Sequence, residues 1–302
     1  MTPELLGLFI GSMLRLATPL AFAAMGEYIS EKTGVLNMSV EGMMLTGAFA
    51  GAAGSWATGS PMLGLLCGLL AVIPVALLQA FLTNVLRANQ IVTGIGINIL
   101  VLGATTLGYR LLFGARSREI IPGWDKWDPW PLTAIPALGP AFSQIWLVYM
   151  IPVLALLIWW VMYRTGLGIA LRAAGDAPRA VANSGIGVRW LRTGAIVATG
   201  LLSALGGIFL AIGDIHTFTE GMTRGAGYLA IAAVIFGNWR LGRTVMACLL
   251  FGAANALQFQ LPALGLQVPS ALLIMMPYLL ALLAVAGLAG RQRAPAALAR
   301  PW

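Results

Sequence analysis

Tyr163–Arg192, YRTGLGIALRAAGDAPRAVANSGIGVRWLR, is the longest polar, cation-rich interruption in an otherwise apolar chain. Five arginines (Arg164, Arg172, Arg179, Arg189 and Arg192) stand against one acid, Asp176, and long apolar runs flank the stretch on both sides. Positive charge concentrated in a short loop between spanning helices stays on the cytoplasmic side. The loop 164–192 is therefore read as cytoplasmic, and every other segment takes its side from it. So many guanidinium groups point to a partner on that side; the plainer reading is that they only set topology.

Working outward, the whole chain supports a bilayer setting. Of 302 residues 59% are hydrophobic and 9% charged, too few ionisable groups to coat a soluble globule of this length. The expectation is one all-α integral membrane domain over 1–302. A net charge of +8 could suggest nucleic acid, but the basic residues are scattered at helix ends and form no stripe, so the charge is topological and no nucleic-acid partner is expected. Cys67 and Cys248 lie in apolar runs, where packing is the natural role and a disulfide or metal site is not. Arg15, the first cation, is already inside the first run, so a cleavable leader is not expected and that run should stay.

A hydrocarbon core of about 30 Å needs about 20 apolar residues per helix. That ruler gives nine segments, with eight to ten as the bracket: Leu5–Met25, Val40–Trp56, Met62–Asn84, Ile91–Phe113, Ile145–Met162, Thr193–Ile212, Gly225–Phe236, Thr244–Phe259 and Val268–Leu288. Alternating sides from the arginine loop puts the N-terminus and 114–143 outside, and the C-terminus inside. Twelve cations then lie inside (Lys32, Arg87, the five loop arginines, Arg240, Arg243, Arg291, Arg293, Arg300) against five outside (Arg110, Arg116, Arg118, Lys126, Arg224). Aromatics agree: Trp56, Trp124, Trp127, Trp130 and Trp146 fall at the outer interface, Trp159, Trp160, Trp190 and Trp239 at the inner one. The external loop 114–143 is long and proline-rich, and reads as folded over the outer mouth as a lid or docking surface, or else as an interfacial re-entrant segment.

Two segments break the membrane-helix norm at comparable places in the two halves: Gly34–Gly47 (GVLNMSVEGMMLTG) and Thr219–Gly237 (TEGMTRGAGYLAIAAVIFG). Each has a polar, glycine-rich head and a short apolar helix. Unwound backbone is tolerated at membrane depth only where it is buried in protein or lines a wet cavity, so the pair points to a solute path. Gly225–Phe236 is too short to span unaided and is either spanning or re-entrant. Polar side chains inside the runs are few, and Asn98, Thr105, Thr106, Ser203, Asn255 and Gln258 should face the bundle interior. For Asn98 and Asn255 interhelical glue and pathway stand level; Asn37 joins the candidate path; Glu41 is either at its mouth or a cap on its own helix. Gly47 and Gly51, like Gly64 and Gly68, are four apart and allow close helix contact.

Catalytic parts are missing. His216 is the sole histidine and reads as a solvated outer-loop residue, with no nucleophile placed beside it by spacing. No carboxylates stand at metal-ligand spacing, and neither Lys32 nor Lys126 ends a phosphate-binding loop. No enzyme activity, metal or cofactor is therefore expected in this chain. Nor is there a ladder of buried acids for a proton-driven carrier. Energy for transport then falls to a nucleotide-hydrolysing partner.

The residues also resemble a known family. Glu31–Phe49, EKTGVLNMSVEGMMLTGAF, resembles the ERSGVVNIGLEGMML-type segment of bacterial ABC-importer permeases of the sugar, nucleoside and branched-chain amino-acid group. Gly168–Gly187 resembles their cytoplasmic coupling segment, and Gly225–Gly237 followed by Gly242 and Phe251-Gly252 their late signature. Glu31, Glu41 and Gln90–Asn98 (QIVTGIGIN) look closer to nucleoside-type than to ribose-type permeases. Ala177 departs from the Asn often found before the proline. The resemblance implies a helical bundle with interrupted helices that forms the path for nucleosides or related ribosides in a bacterial inner membrane. It implies a cytoplasmic ATP-binding subunit, a second permease (a related chain) and an extracytoplasmic substrate-binding protein. Coupling would fall to Arg172, Gly175, Asp176, Ala177, Pro178, Arg179 and Ala180, on a short surface helix Ala173–Asn183 with Asp176 near its start. The alternatives are the same machine carrying a sugar or a branched-chain amino acid, a lone secondary carrier, or a membrane-embedded scaffold or enzyme.

Overall fold

Every apolar run becomes a helix, although not every helix is a simple span. The structure, a computed structural model, describes residues 3–114, 119–131, 133, 139–263, 269–283, 294–300 and 302. Arg116, Arg118, Arg291 and Arg293, and the ends of the expected segment Val268–Leu288, lie outside the described residues. In chain order the helices are α1 (Pro3–Lys32), α2 (Val40–Thr58), α3 (Pro61–Ala80), α4 (Gln90–Phe113), α5 (Gly139–Phe142), α6 (Trp146–Arg164), α7 (Gly166–Asp176), α8 (Pro178–Asn183), α9 (Val188–Ile208), α10 (Ala226–Phe236), α11 (Leu241–Ala263) and α12 (Ser270–Leu283). α3 and α9 each end in a wider π-helical turn, Phe81–Val85 and Phe209–Asp214.

Six of these are long and apolar enough to cross a membrane: 5–32, 61–85, 90–113, 146–164, 188–214 and 241–261. The other three expected spans differ for visible reasons. α2 has the length, but it carries Gly42, Gly47, Gly51, Gly54 and Ser55 and is largely buried among its neighbours. α10 has 11 residues, and α12 has 14 among the described residues. α1 continues past the expected Met25 to Lys32, about 45 Å at 1.5 Å per residue. That exceeds a hydrocarbon core of about 30 Å, so its last turns reach the arginine loop.

Packing is set by small residues. α1 lies against α9 and α11, and α2 against α3, α9 and α4. A Cβ on Gly64 would stand 2.6 Å from the Gly51 carbonyl oxygen, one on Gly68 2.9 Å from that of Gly47, and one on Gly47 2.5 Å from the Ala204 Cα. The glycines four apart in the sequence thus form the α2–α3 seam, where backbones approach as closely as membrane packing allows.

The segment 119–131 lies across one end of the bundle. Ile121 donates its N–H to the His216 carbonyl (2.9 Å), Ser55 donates to the Pro122 carbonyl (2.6 Å), and Trp127 bridges to Gln144, whose amide reaches the Gly11 carbonyl (3.2 Å). His216 is not the solvated residue expected. Its ring packs on Gly123 and its Nε2 is shielded, because this segment covers it. Trp239 is likewise no interfacial residue: it is 3% exposed and bonded inside the bundle.

Candidate functional site

The two interrupted segments, far apart in sequence, meet. Glu41, in the first turn of α2, does not cap its own helix; its carboxylate caps α10. Oε1 accepts from the Thr223 hydroxyl (2.6 Å) and the Gly225 N–H (2.8 Å), and Oε2 accepts from the Gly227 N–H (2.7 Å). Those amides are among the N–H groups that a helix start leaves unpaired, and a negative charge there complements the helix dipole. Gly225 holds φ +81°, and a Cβ on Gly227 would stand 2.5 Å from the Glu41 nitrogen, so both glycines are needed for the approach.

Asn98 fastens the same junction from α4. Its Oδ1 accepts from the Gly42 N–H, while its Nδ2 donates to the Met38 carbonyl and the Tyr228 hydroxyl, each at 2.8 Å. The unwound stretch between α1 and α2 is satisfied by side chains from elsewhere, as buried backbone requires. Gln90 accepts from the Leu36 N–H (2.8 Å), and Glu27 accepts from the Asn37 N–H (2.8 Å). Asn37 is fully buried and turns the chain by accepting from the Ser39 hydroxyl (2.6 Å) and N–H (3.1 Å). Glu27 and Glu31 are also fully buried, one turn apart, with their side chains meeting, and Glu31 accepts the Trp239 indole N–H at 2.5 Å.

Asn255 does not join this knot. It lines a cavity of about 430 Å³ beside the head of α10, with Gln258, Thr223, Tyr278, Arg15 and Asp214 among its walls. Arg15 and Asp214 form an ion pair of 3.3 Å. Of the expected path residues, then, Asn37, Glu41 and Asn98 build the junction and Asn255 borders the space next to it. Sequence reasoning missed Glu27, Gln90, Thr223, Tyr228, Gln258 as a wall and the Arg15–Asp214 pair. The four-residue spacing of Glu27 and Glu31 was a readable sign that both lie on one helix face.

The arginine loop folds as two helices, not one. Ala173–Asn183 is divided at Ala177 (φ −140°, ψ 68°), because Pro178 has no N–H to donate and pushes the residue before it out of helical geometry. Asp176 consequently ends α7 and does not start a helix. Asp176, Ala177, Arg179 and Ala180 are exposed, Pro178 is half-buried, and Gly175 is buried against the Lys32 carbonyl where no Cβ would fit. Arg172 lies over the Tyr163 ring at 4.8 Å. Arg192, expected to face a partner, is 1% exposed and donates to the Arg300 carbonyl (2.8 Å). The chain's last residues lie over this elbow: Ala297 donates to the Gly175 carbonyl (2.8 Å), Ala299 to that of Gly34 (3.2 Å), and Trp302 packs near Ala174, Val181 and Val188.

Comparison with known proteins gives a consistent picture. Residues 9–285 match the family model described as branched-chain amino acid transport system / permease component. The guanosine ABC transporter permease protein NupQ of Bacillus subtilis is 33% identical over 99% of this chain and 97% of its own length. The nucleoside ABC transporter permease protein NupC of Lactococcus lactis is 30% identical over 97% of this chain and 95% of its own. A Haloferax volcanii permease named provisionally for glucose is 33% identical over 85% of this chain and 78% of its own. No solved structure matches the chain.

Proposed function

This chain belongs to the branched-chain amino acid transport system / permease component family, and from that premise we propose that it is the multi-pass permease subunit of an ATP-binding-cassette importer for nucleosides or related ribosides. The observation that carries the transport reading is the junction of two interrupted helices at Glu41, Asn98 and the head of α10, beside a polar cavity. Broken helices that meet at membrane depth are where transporters bind cargo. The cargo is supported by two near-full-length relatives, one named for guanosine and one for nucleosides.

In this reading the bundle crosses the membrane about nine times with an ABC-permease fold, and α7–α8 face the cytoplasm of a bacterial cell. The exposed Asp176, Ala177, Arg179 and Ala180, with Arg172, Gly175 and Pro178 shaping them, form the docking surface for a separate ATP-binding subunit. Nucleotide-driven closure of that subunit pushes α8 and rocks the bundle between inward and outward openings. The chain hydrolyses nothing itself. A second, related permease completes the path beside the cavity walled by Arg15, Asn255 and Gln258. A substrate-binding protein delivers cargo at the face covered by 119–131.

The test is uptake of labelled guanosine and uridine by vesicles holding the complete transporter. Uptake should need ATP and fall at least tenfold when Gly175–Ala180 is replaced by an unrelated loop. Transport that proceeds without an ATPase subunit sinks the reading. The sugar alternative is favoured by the Haloferax relative alone, and competition by glucose or ribose decides it.

A further inference from the structure

Arg15 and Asp214 line two cavities, and among the described residues they are the only ones common to both. One is the cavity of about 430 Å³ at the head of α10; the other, about 190 Å³, lies beneath the external segment and is bordered by Trp124, Lys126, Gln144 and His216. The ion pair therefore stands between the two cavities. We propose that the Arg15–Asp214 pair is the outer gate of the solute path, and that the chamber behind it takes a neutral, hydroxyl-bearing heterocycle of the nucleoside class. The proposal rests on the transport reading above.

The pair is built to open. Its contact is 3.3 Å, the Arg15 side chain is 41% exposed and the Asp214 side chain 14% exposed, so water reaches it. A partly solvated ion pair of this kind contributes on the order of 1 kcal/mol or less, little enough to break in each cycle. Asp214 also closes the π-helical turn Phe209–Asp214, a deformation frequent at functional sites. Opposite charges that satisfy each other present no net charge to what passes.

Behind the gate the chemistry selects. Asn255 and Gln258 offer amide donors and acceptors, Thr219 and Thr223 offer hydroxyls, and the Tyr278 hydroxyl donates to the Arg224 carbonyl at 2.8 Å. Arg224 also lines the cavity, and Glu41 lies within electrostatic reach of the same Tyr278 hydroxyl. An amino acid would need separate, unmatched partners for its carboxylate and ammonium. Tyr278 and Phe259, 45% and 61% exposed, supply ring faces on which a base can stack. The volume falls within the roughly 300–1,000 Å³ usual for small-molecule sites.

The experiment uses the complete transporter in proteoliposomes, with Cys67 and Cys248 replaced by serine. Arg15→Cys and Asp214→Cys are introduced together and joined by a short bis-methanethiosulfonate cross-linker. Uridine uptake by the double variant should fall at least tenfold on cross-linking, relative to the same variant untreated, and recover on reduction. Undiminished uptake with the cross-link verified by mass spectrometry overturns the gate. A second variant, Arg15→Met with Asp214→Leu, removes the pair and keeps its bulk. It should release preloaded uridine at least tenfold faster than wild type without ATP and leave glutamate release unchanged; release at the wild-type rate overturns the gate as well. If the unmodified transporter carries an amino acid and no nucleoside, the cargo reading fails, and a reversible cross-link block on that amino acid would still support the gate.

Discussion

At the scale of single residues, Glu41 is the side chain on which most depends. Three hydrogen bonds to one carboxylate close the start of α10, and bonds to a charged group contribute about 1.5–3 kcal/mol each, without strict additivity. Glu41→Ala should lower the thermal midpoint of the detergent-purified protein by several degrees and reduce uptake at least tenfold. Glu41→Gln, which keeps one acceptor, should lie between, as scanning fluorimetry and vesicle uptake can check. Trp239→Phe removes the indole donor and leaves a buried Glu31 oxygen without its partner, a cost of about 1–3 kcal/mol; a melting shift smaller than one degree would show that the bond contributes nothing. The sequence marked Glu41 as unusual because it is an acid in a short apolar helix. It gave no sign that the carboxylate reaches a helix more than 180 positions on, since hydrophobic periodicity carries no information about which helices become neighbours. Trp239 misled for a related reason: a tryptophan at a helix end suits a membrane interface, and only the packing of α1 against the α10–α11 turn buries it.

Among helices, legibility follows mechanism. The α2–α3 seam was readable because glycines four apart occupy one helix face. The break in the arginine loop was half-readable: Pro178 was visible, but its placement as the first residue of a second helix was not, because Ala173–Asn183 is alanine-rich enough to read as one. Pro178→Ala should let α7 and α8 run together and re-aim Arg179. Nucleoside-stimulated ATP hydrolysis by the complete transporter should then fall at least fivefold while the permease still co-purifies with its ATPase; unaltered stimulation would show that the kink has no part in coupling. At the other interruption, Gly227→Ala puts a methyl against the α2 backbone, which cannot yield as a side chain could. Overpacking there should cost about 1–3 kcal/mol or more, read as a lower melting temperature that Gly227→Ser would share.

Over the whole molecule, α1 links the neighbourhood of the Glu41–Asn98 junction to the exposed α7–α8 elbow, running from Arg15, paired with Asp214, to Lys32 beneath Gly175. That the described chain is helical, with several helices long and apolar enough to cross a membrane, was legible, since apolar run length is written locally in the sequence. The contact between the chain's last residues and the elbow was not, because Arg300 carried only a topological reading and the bond that matters is to its carbonyl. Deleting residues 294–302 should strip Arg192 of that acceptor and open the elbow, so trypsin should cut after Arg179 or Arg189 about tenfold faster, as timed digestion will show.

That last contact bears on how the protein is handled. A reporter or affinity handle fused beyond Trp302 would pull on the same few hydrogen bonds that seat α7 beneath α1, and a transporter purified that way could look uncoupled when the fault lies in its label. Placing the handle at the opposite terminus leaves the elbow's fastening untouched.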